Sequence, residues 1–161
     1  MPTIETLEDL LTAEIKDLYS AEKQLTKALP KMVRAAKDKD LKAGFTAHLE
    51  ETKKQVARLE EIGTLLEIKP SGKLCKGMEG VIAEGAEALA EDGPSAVFDL
   101  GLIAAASRVE HYEISGYMTA ISLAEQLSHE GVVNLLNASL AEEEACENSL
   151  REKASALMSE A

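Results

Sequence analysis

Carboxylates stand where apolar residues belong in the stretch Arg108-Val109-Glu110-His111-Tyr112-Glu113-Ile114-Ser115-Gly116-Tyr117. On a helix, residues three or four apart share a face. Extended both ways, the stretch gives Ile103, Ala106, Glu110, Glu113 or Ile114, Tyr117 and Ile121, the core seam of a bundle helix. Burying an ionised carboxylate costs several kcal/mol unless it is paired, protonated or bound to a metal. The same anomaly recurs three times. Glu22 lies on the stripe Leu11, Ile15, Leu18, Glu22, Leu25, Leu29; Glu51 borders the stripe Phe45, His48, Thr52, Gln55, Leu59; Glu143 and Glu147 sit in the heptad Leu136, Leu140, Glu143, Glu147, Leu150.

Five carboxylates, Glu22, Glu51, Glu110, Glu113 and Glu143, repel one another in a dry layer unless cations neutralise them. Two divalent ions with one or two imidazoles would roughly balance them. Carboxylate oxygen with histidine nitrogen suits iron or manganese, and zinc is also accepted. Dimetal bundles draw a Glu from each of two helices and Glu-x-x-His from the other two. Here Lys54 follows Glu51 at that spacing and Cys146 follows Glu143, so both histidines are missing. His48, one turn before Glu51, is the best imidazole candidate, whereas His111 points about 100° away from Glu110. Glu110-x-x-Glu113 supplies an extra carboxylate in place of a nitrogen. Thr52, Gln55 and Tyr19 are candidates to orient the carboxylates. Tyr117 reads first as core and second as a hydrogen-bond donor to a ligand carboxylate or a participant in one-electron chemistry. Cys146, beside the seam, reads as a packed cysteine, with metal binding or oxidation as the sharper alternative.

The elements that must position these residues are helical. The 161-residue chain is rich in Ala, Leu, Glu and Lys, with 3% aromatics, 10 Gly and 4 Pro, a balance that favours an all-α single domain able to bury its own core. A first helix is expected after Pro2-Thr3, with Thr3 as cap and Pro30 kinking rather than ending it. A second runs over about 41–67 behind Asp38 or Asp40, and Lys69-Pro70-Ser71-Gly72 ends it. The segment 73–92 is too long for a tight turn and contains a weak amphipathic helix, Met78 to Ala90, as a crossover. A third long helix starts near Pro94 and continues to about Leu127, and the fourth follows the turn Ser128-His129-Glu130-Gly131. Four long helices with one long connection in the middle predict a ferritin-like antiparallel four-helix bundle. Each carboxylate then falls about 18 to 27 Å from its inter-helix turn, so all four helices present them near mid-height.

A net charge of −12 disfavours nucleic acid and anionic membrane as partners. No apolar run reaches the roughly 18 residues of a membrane span and no basic leader opens the chain, so a cytoplasmic protein is expected. Two distant cysteines, Cys75 and Cys146, make no disulfide framework. Leu10, Ala13, Ala21 and Ala28, with the apolar run Leu102 to Ala106, suggest a homodimer face.

The stretches Tyr19-Ser20-Ala21-Glu22-Lys23-Gln24-Leu25, His48-Leu49-Glu50-Glu51-Thr52, Val109-Glu110-His111-Tyr112-Glu113-Ile114, Leu123-Ala124-Glu125-Gln126-Leu127 and Leu140-Ala141-Glu142-Glu143 resemble the YciF/YciE family of bacterial stress proteins over nearly the whole chain. The resemblance implies a ferritin-like fold related to rubrerythrins, a dinuclear metal centre, a homodimer and a role in stress. Carried over residue by residue, it implies Glu22, Glu51, Glu110, Glu113 and Glu143 as ligands, with His48. Two readings follow. One is an iron or manganese protein that reacts with oxygen or peroxide, although no cysteine pairs deliver electrons internally. The other, favoured by the missing histidines, is a non-enzymatic stress or interaction protein with a structural or vestigial metal site. A mineral-storage cage is weaker, since nothing specifies the contacts of a shell.

Overall fold

A computed structural model describes residues 3–161, and every regular element among them is a helix: α1 Leu7–Ala35, α2 Lys39–Leu65, α3 Lys76–Ala90, α4 Ser95–Gln126 and α5 Glu130–Met158. The architecture is the ferritin-like bundle. α1 packs against α2 and α4, and α5 packs against the same two helices. Neighbours are antiparallel, because short turns join α1 to α2 and α4 to α5 while α3 carries the long crossover between the parallel pair α2 and α4.

The N-terminal boundary differs from expectation. Pro2 lies outside the described residues and Thr3 precedes the helix. Thr6 is the cap: its hydroxyl accepts from Asp9 N at 3.1 Å, and the Asp9 carboxylate accepts from Thr6 N at 3.0 Å. This reciprocal box satisfies two backbone donors, so Ile4 and Leu7 stay exposed. α1 runs through Pro30 to Ala35, as the resumed apolar pattern predicts. α2 stops before Pro70: Ile68 N donates to Gly63 O at 2.9 Å around Glu67, whose φ is 54°. A left-handed residue closing the last turn ends a helix without any proline.

The core is layered. At one pole Leu11, Ile15, Leu59, Ile62, Ile121 and Leu136 form an apolar cluster; at the other, Phe45, Leu102, Ile103, Ala106 and Leu150 form a second. α3 lays Met78 over Ala21, Leu25 and Leu29 of α1 and Val109 of α4. Ala21, expected on a half-exposed face, is therefore buried, as are Leu102, Ile103, Ala105 and Ala106. Ala21 is covered by the crossover helix, whereas Leu102, Ile103 and Ala106 face the bundle core beside Phe45 and Leu150.

Candidate metal centre

Between the two apolar clusters lies a polar layer to which every long helix contributes. Glu22 from α1, His48, Thr52 and Gln55 from α2, Glu110 and Glu113 from α4, and Glu143 from α5 are all buried, none more than 3% exposed. The seam patterns foresee this. Each carboxylate occupies a position that helical spacing aims at the core.

His48 anchors the geometry. Its Nε2 lies 3.2 Å from Glu110 Oε1 and 3.8 Å from Glu143 Oε2, and its Nδ1 lies 3.6 Å from Glu51 Oε2. His48, Glu110, Glu113 and Glu143 each offer a ligand atom within 4.8 Å of the others. Glu22 adjoins this group, near enough for the charges of Glu110 and His48 to shift its titration. Glu51 is not brought in with the rest. Its side chain is 38% exposed and meets the layer only at its rim, beside His48.

Hydrogen bonds fix part of the set. Tyr117 is part of the core, and its buried hydroxyl donates to Glu22 Oε1. Gln55 Nε2 donates to Glu143 Oε1 and, at 3.0 Å, to Glu142 Oε2. Arg58 grips Glu142 with two bonds of 2.6 and 2.7 Å, a fork-to-carboxylate geometry that holds the neighbouring acid out of the layer. Two expected helpers act elsewhere. Thr52 donates to the His48 carbonyl of its own helix at 2.9 Å, and Tyr19 donates to the exposed Glu60 at 2.9 Å. The exposed His111 faces the largely buried Glu147 at 3.2 Å, and Ser107 donates to the same carboxylate at 2.7 Å. Glu147 therefore belongs to a rim network.

What remains is unpartnered. Glu22 Oε2, both His48 nitrogens, Gln55 Oε1, Glu110 Oε2, both Glu113 oxygens and Glu143 Oε2 are buried without a hydrogen bond. These eight atoms are the whole set of such side-chain atoms among the described residues. Buried polar atoms are normally partnered, and here the exceptions gather in one layer. They are the donor atoms a cation would need.

The electrostatics agree. Burial, with the charges of Glu22, Glu143 and Glu110 added, holds the Glu113 carboxyl well above the usual range. Burial and the Glu110 charge do the same to Glu143. Burial lifts Glu22 to about 7, against the opposing pull of its bond from Tyr117. Burial also raises Glu110, but the His48 imidazolium outweighs it and the carboxyl ends below its ordinary value. Burial disfavours charge on His48 too, yet the Glu110 carboxylate wins and its pKa rises well above normal. Within one layer, His48 and Glu110 favour each other's charged form, while Glu22, Glu113 and Glu143 resist ionisation.

Cys146 is a residue that sequence reasoning set aside and the geometry returns. Its Sγ lies with His48 and Glu110 in a second group of ligand atoms within 4.8 Å of one another. The signal was its position three residues after Glu143, where such motifs carry a histidine. Burial pushes its thiol up to about 11.

Fold and site together define a ferritin-like helical-bundle protein with a buried carboxylate–histidine layer positioned to hold a metal ion. The chain belongs to the family of the domain of unknown function DUF892, whose profile matches residues 6–161. It is 41% identical over 152 residues to Protein YciF of Escherichia coli strain K12, covering 94% of this chain and 92% of that protein. The crystal structure of the E. coli stress protein YciF matches with a TM-score of 0.95 at 40% identity, over 98% of this chain and 100% of that one. YcfI of Rhodopseudomonas palustris, described as a candidate structural protein, matches with a TM-score of 0.89 at 45% identity, over 92% and 94% of the two chains. No helix among the described residues is long and apolar enough to cross a membrane.

Proposed function

We propose that this stress-family protein binds two divalent ions, iron or manganese with zinc also accepted, and that the loaded protein reacts with dioxygen or peroxide. The observation that carries the reading is the set of eight unpartnered buried atoms drawn from all four long helices. His48, Glu110, Glu113 and Glu143 would hold metal, with Glu22 completing the layer from α1 and Glu51 supporting it from the rim. Such ions, when bound, supply redox equivalents and Lewis acidity.

The chain's residues set the conditions for that chemistry. Tyr117 and Gln55 fix the Glu22 and Glu143 carboxylates from one side and leave an oxygen of each free. The apolar clusters above and below exclude water, which strengthens every charge interaction in between. Burial and neighbouring charge make Glu113 and Glu143 resist ionisation, and each must be without its proton to coordinate.

The first test is metal content of untagged protein grown without added metal, beside Glu110→Ala. About two iron or manganese ions per chain, lost in the variant, is the expected result. A protein that cannot be loaded with ferrous or manganous ions overturns the reading. The second reading, a non-enzymatic protein with a structural metal, is favoured by Glu51 lying half out of the layer and by the exposed Lys54 three residues on. Peroxide consumption by the loaded protein separates the two.

A further inference from the structure

We propose that Cys146 supplies a sulfur ligand to this centre, forming with His48 and Glu110 a mixed nitrogen, oxygen and sulfur position beside the His48, Glu110, Glu113 and Glu143 group. The inference rests on the reading of the layer as a metal centre. It goes beyond that reading in naming a thiolate ligand and the metals it selects.

A half-buried cysteine ordinarily serves as a small apolar side chain, and Cys146 does touch the apolar cluster around Leu150. Its sulfur has a second environment. Sγ, a His48 nitrogen and a Glu110 oxygen lie within 4.8 Å of one another. His48 and Glu110 are 3% and 2% exposed, and both His48 nitrogens and Glu110 Oε2 lack a hydrogen-bond partner. Packing alone explains the contact with Leu150. It does not explain why a buried histidine–carboxylate pair, with Glu110 Oε2 left without a hydrogen bond, converges on the thiol. Glu110 has two oxygens and can serve both ligand groups, whereas neutral His48 has a single ring lone pair and serves one metal, here the sulfur-containing position.

The other side of Cys146 opens on a cleft between α2 and α5, walled by Leu41, Phe45, Leu150 and Lys153. Coordination forms a metal–sulfur bond and breaks the S–H bond. The proton leaves through this cleft to solvent, and no electron changes hands. A sulfur donor shifts preference away from manganese toward zinc, cobalt and ferrous iron. The centre is then asymmetric, with one position of carboxylate oxygens and one that includes nitrogen and sulfur.

The test loads the full chain with cobalt(II) under a non-thiol reductant, measuring bound cobalt and near-ultraviolet absorption together. An intense thiolate-to-cobalt charge-transfer band is expected in the wild type and in Cys75→Ser, and is lost in Cys146→Ser although cobalt still binds. Zinc affinity of Cys146→Ser should fall by at least the roughly 10- to 100-fold that loss of an outer-shell partner costs, with manganese affinity changing far less. Cobalt bound by the wild type without the band, or a band that survives Cys146→Ser, overturns the sulfur ligand and leaves the metal centre standing. No bound cobalt at all overturns both. A measurement on the unaltered chain guards against a variant that fails to fold: zinc should protect Cys146 from iodoacetamide, and equal alkylation with and without zinc counts against the proposal.

Discussion

Glu22, Glu113 and Glu143 occupy places where ionisation is most costly, and this sets how the metal-free protein responds to pH. Each has a folded pKa above its ordinary value. The folded chain therefore binds more protons than the unfolded chain above about pH 4.5, and stability falls as pH rises. Glu22, held at about 7 against 4.5, contributes on the order of 3 kcal/mol that is present below pH 4.5 and lost as pH passes 7. His48, also raised, acts in the same sense above its ordinary value. Glu110, lowered by His48, opposes the trend only in acid below about pH 4.5. Urea unfolding of chelator-treated protein should give a smaller free energy at ~pH 8 than at ~pH 5; a flat or rising profile would show that these carboxyls are not buried together. The same cost made the residues legible. A glutamate on an apolar stripe is an anomaly that spacing exposes, and Glu22, Glu110, Glu113 and Glu143 were found that way. Glu51 and Cys146 both flank their seams. Whether a flanking residue faces in or out depends on the rotation of the helix against its neighbours, which periodicity does not fix. Glu51 lies at the rim and Cys146 beside His48 and Glu110.

Helices were legible as elements because each buries a stripe at 3.6-residue spacing, and α3 showed through its weaker pattern despite Gly80 and Gly85. Their ends were less so, since caps are made by particular side chains. Asp99 illustrates the point. It lies in the first turns of α4 and is 1% exposed, with no sequence signal to distinguish it from a surface aspartate. Its carboxylate accepts from Lys37 N at 2.9 and 3.2 Å and from Asp38 N at 2.6 Å. It thus satisfies the backbone where α1 turns into α2, and Asp38 itself caps α2 by accepting from Leu41 N at 2.8 Å. α4 thereby locks the hairpin whose two helices carry Glu22 and His48. Asp99→Ala leaves two backbone donors without their partner and should cost about 2 to 4 kcal/mol, while Asp99→Asn, which keeps one acceptor oxygen, should cost less. Equilibrium urea unfolding measures both. An alanine variant as stable as the wild type would mean the turn is held by the apolar cluster beneath it.

For the molecule as a whole, the polar layer divides the core into two apolar clusters that touch different ends of the same four helices. A cation bound there would tie all four together at mid-height, and it would do so in a chain of net charge −12. Binding to the folded state alone stabilises by about 2.7 kcal/mol at a free concentration one hundred times the dissociation constant. For a protein of this size that raises the melting temperature by roughly 5 to 10 °C, and a chelator should reverse it. Relief of surface repulsion would also stabilise so acidic a chain, but any salt provides that relief. Sodium chloride at matched ionic strength is therefore the control, and manganese or ferrous iron must exceed it clearly. The pH slope makes the comparison sharper. Coordination by Glu113 and Glu143 would need their carboxylates without protons, so metal binding should strengthen as pH rises. Metal-free protein should lose stability toward alkaline pH, whereas metal-loaded protein should hold or gain it, and the two melting curves should diverge. Curves that stay parallel across neutral pH would mean that the ion sits on the acidic surface, outside the bundle.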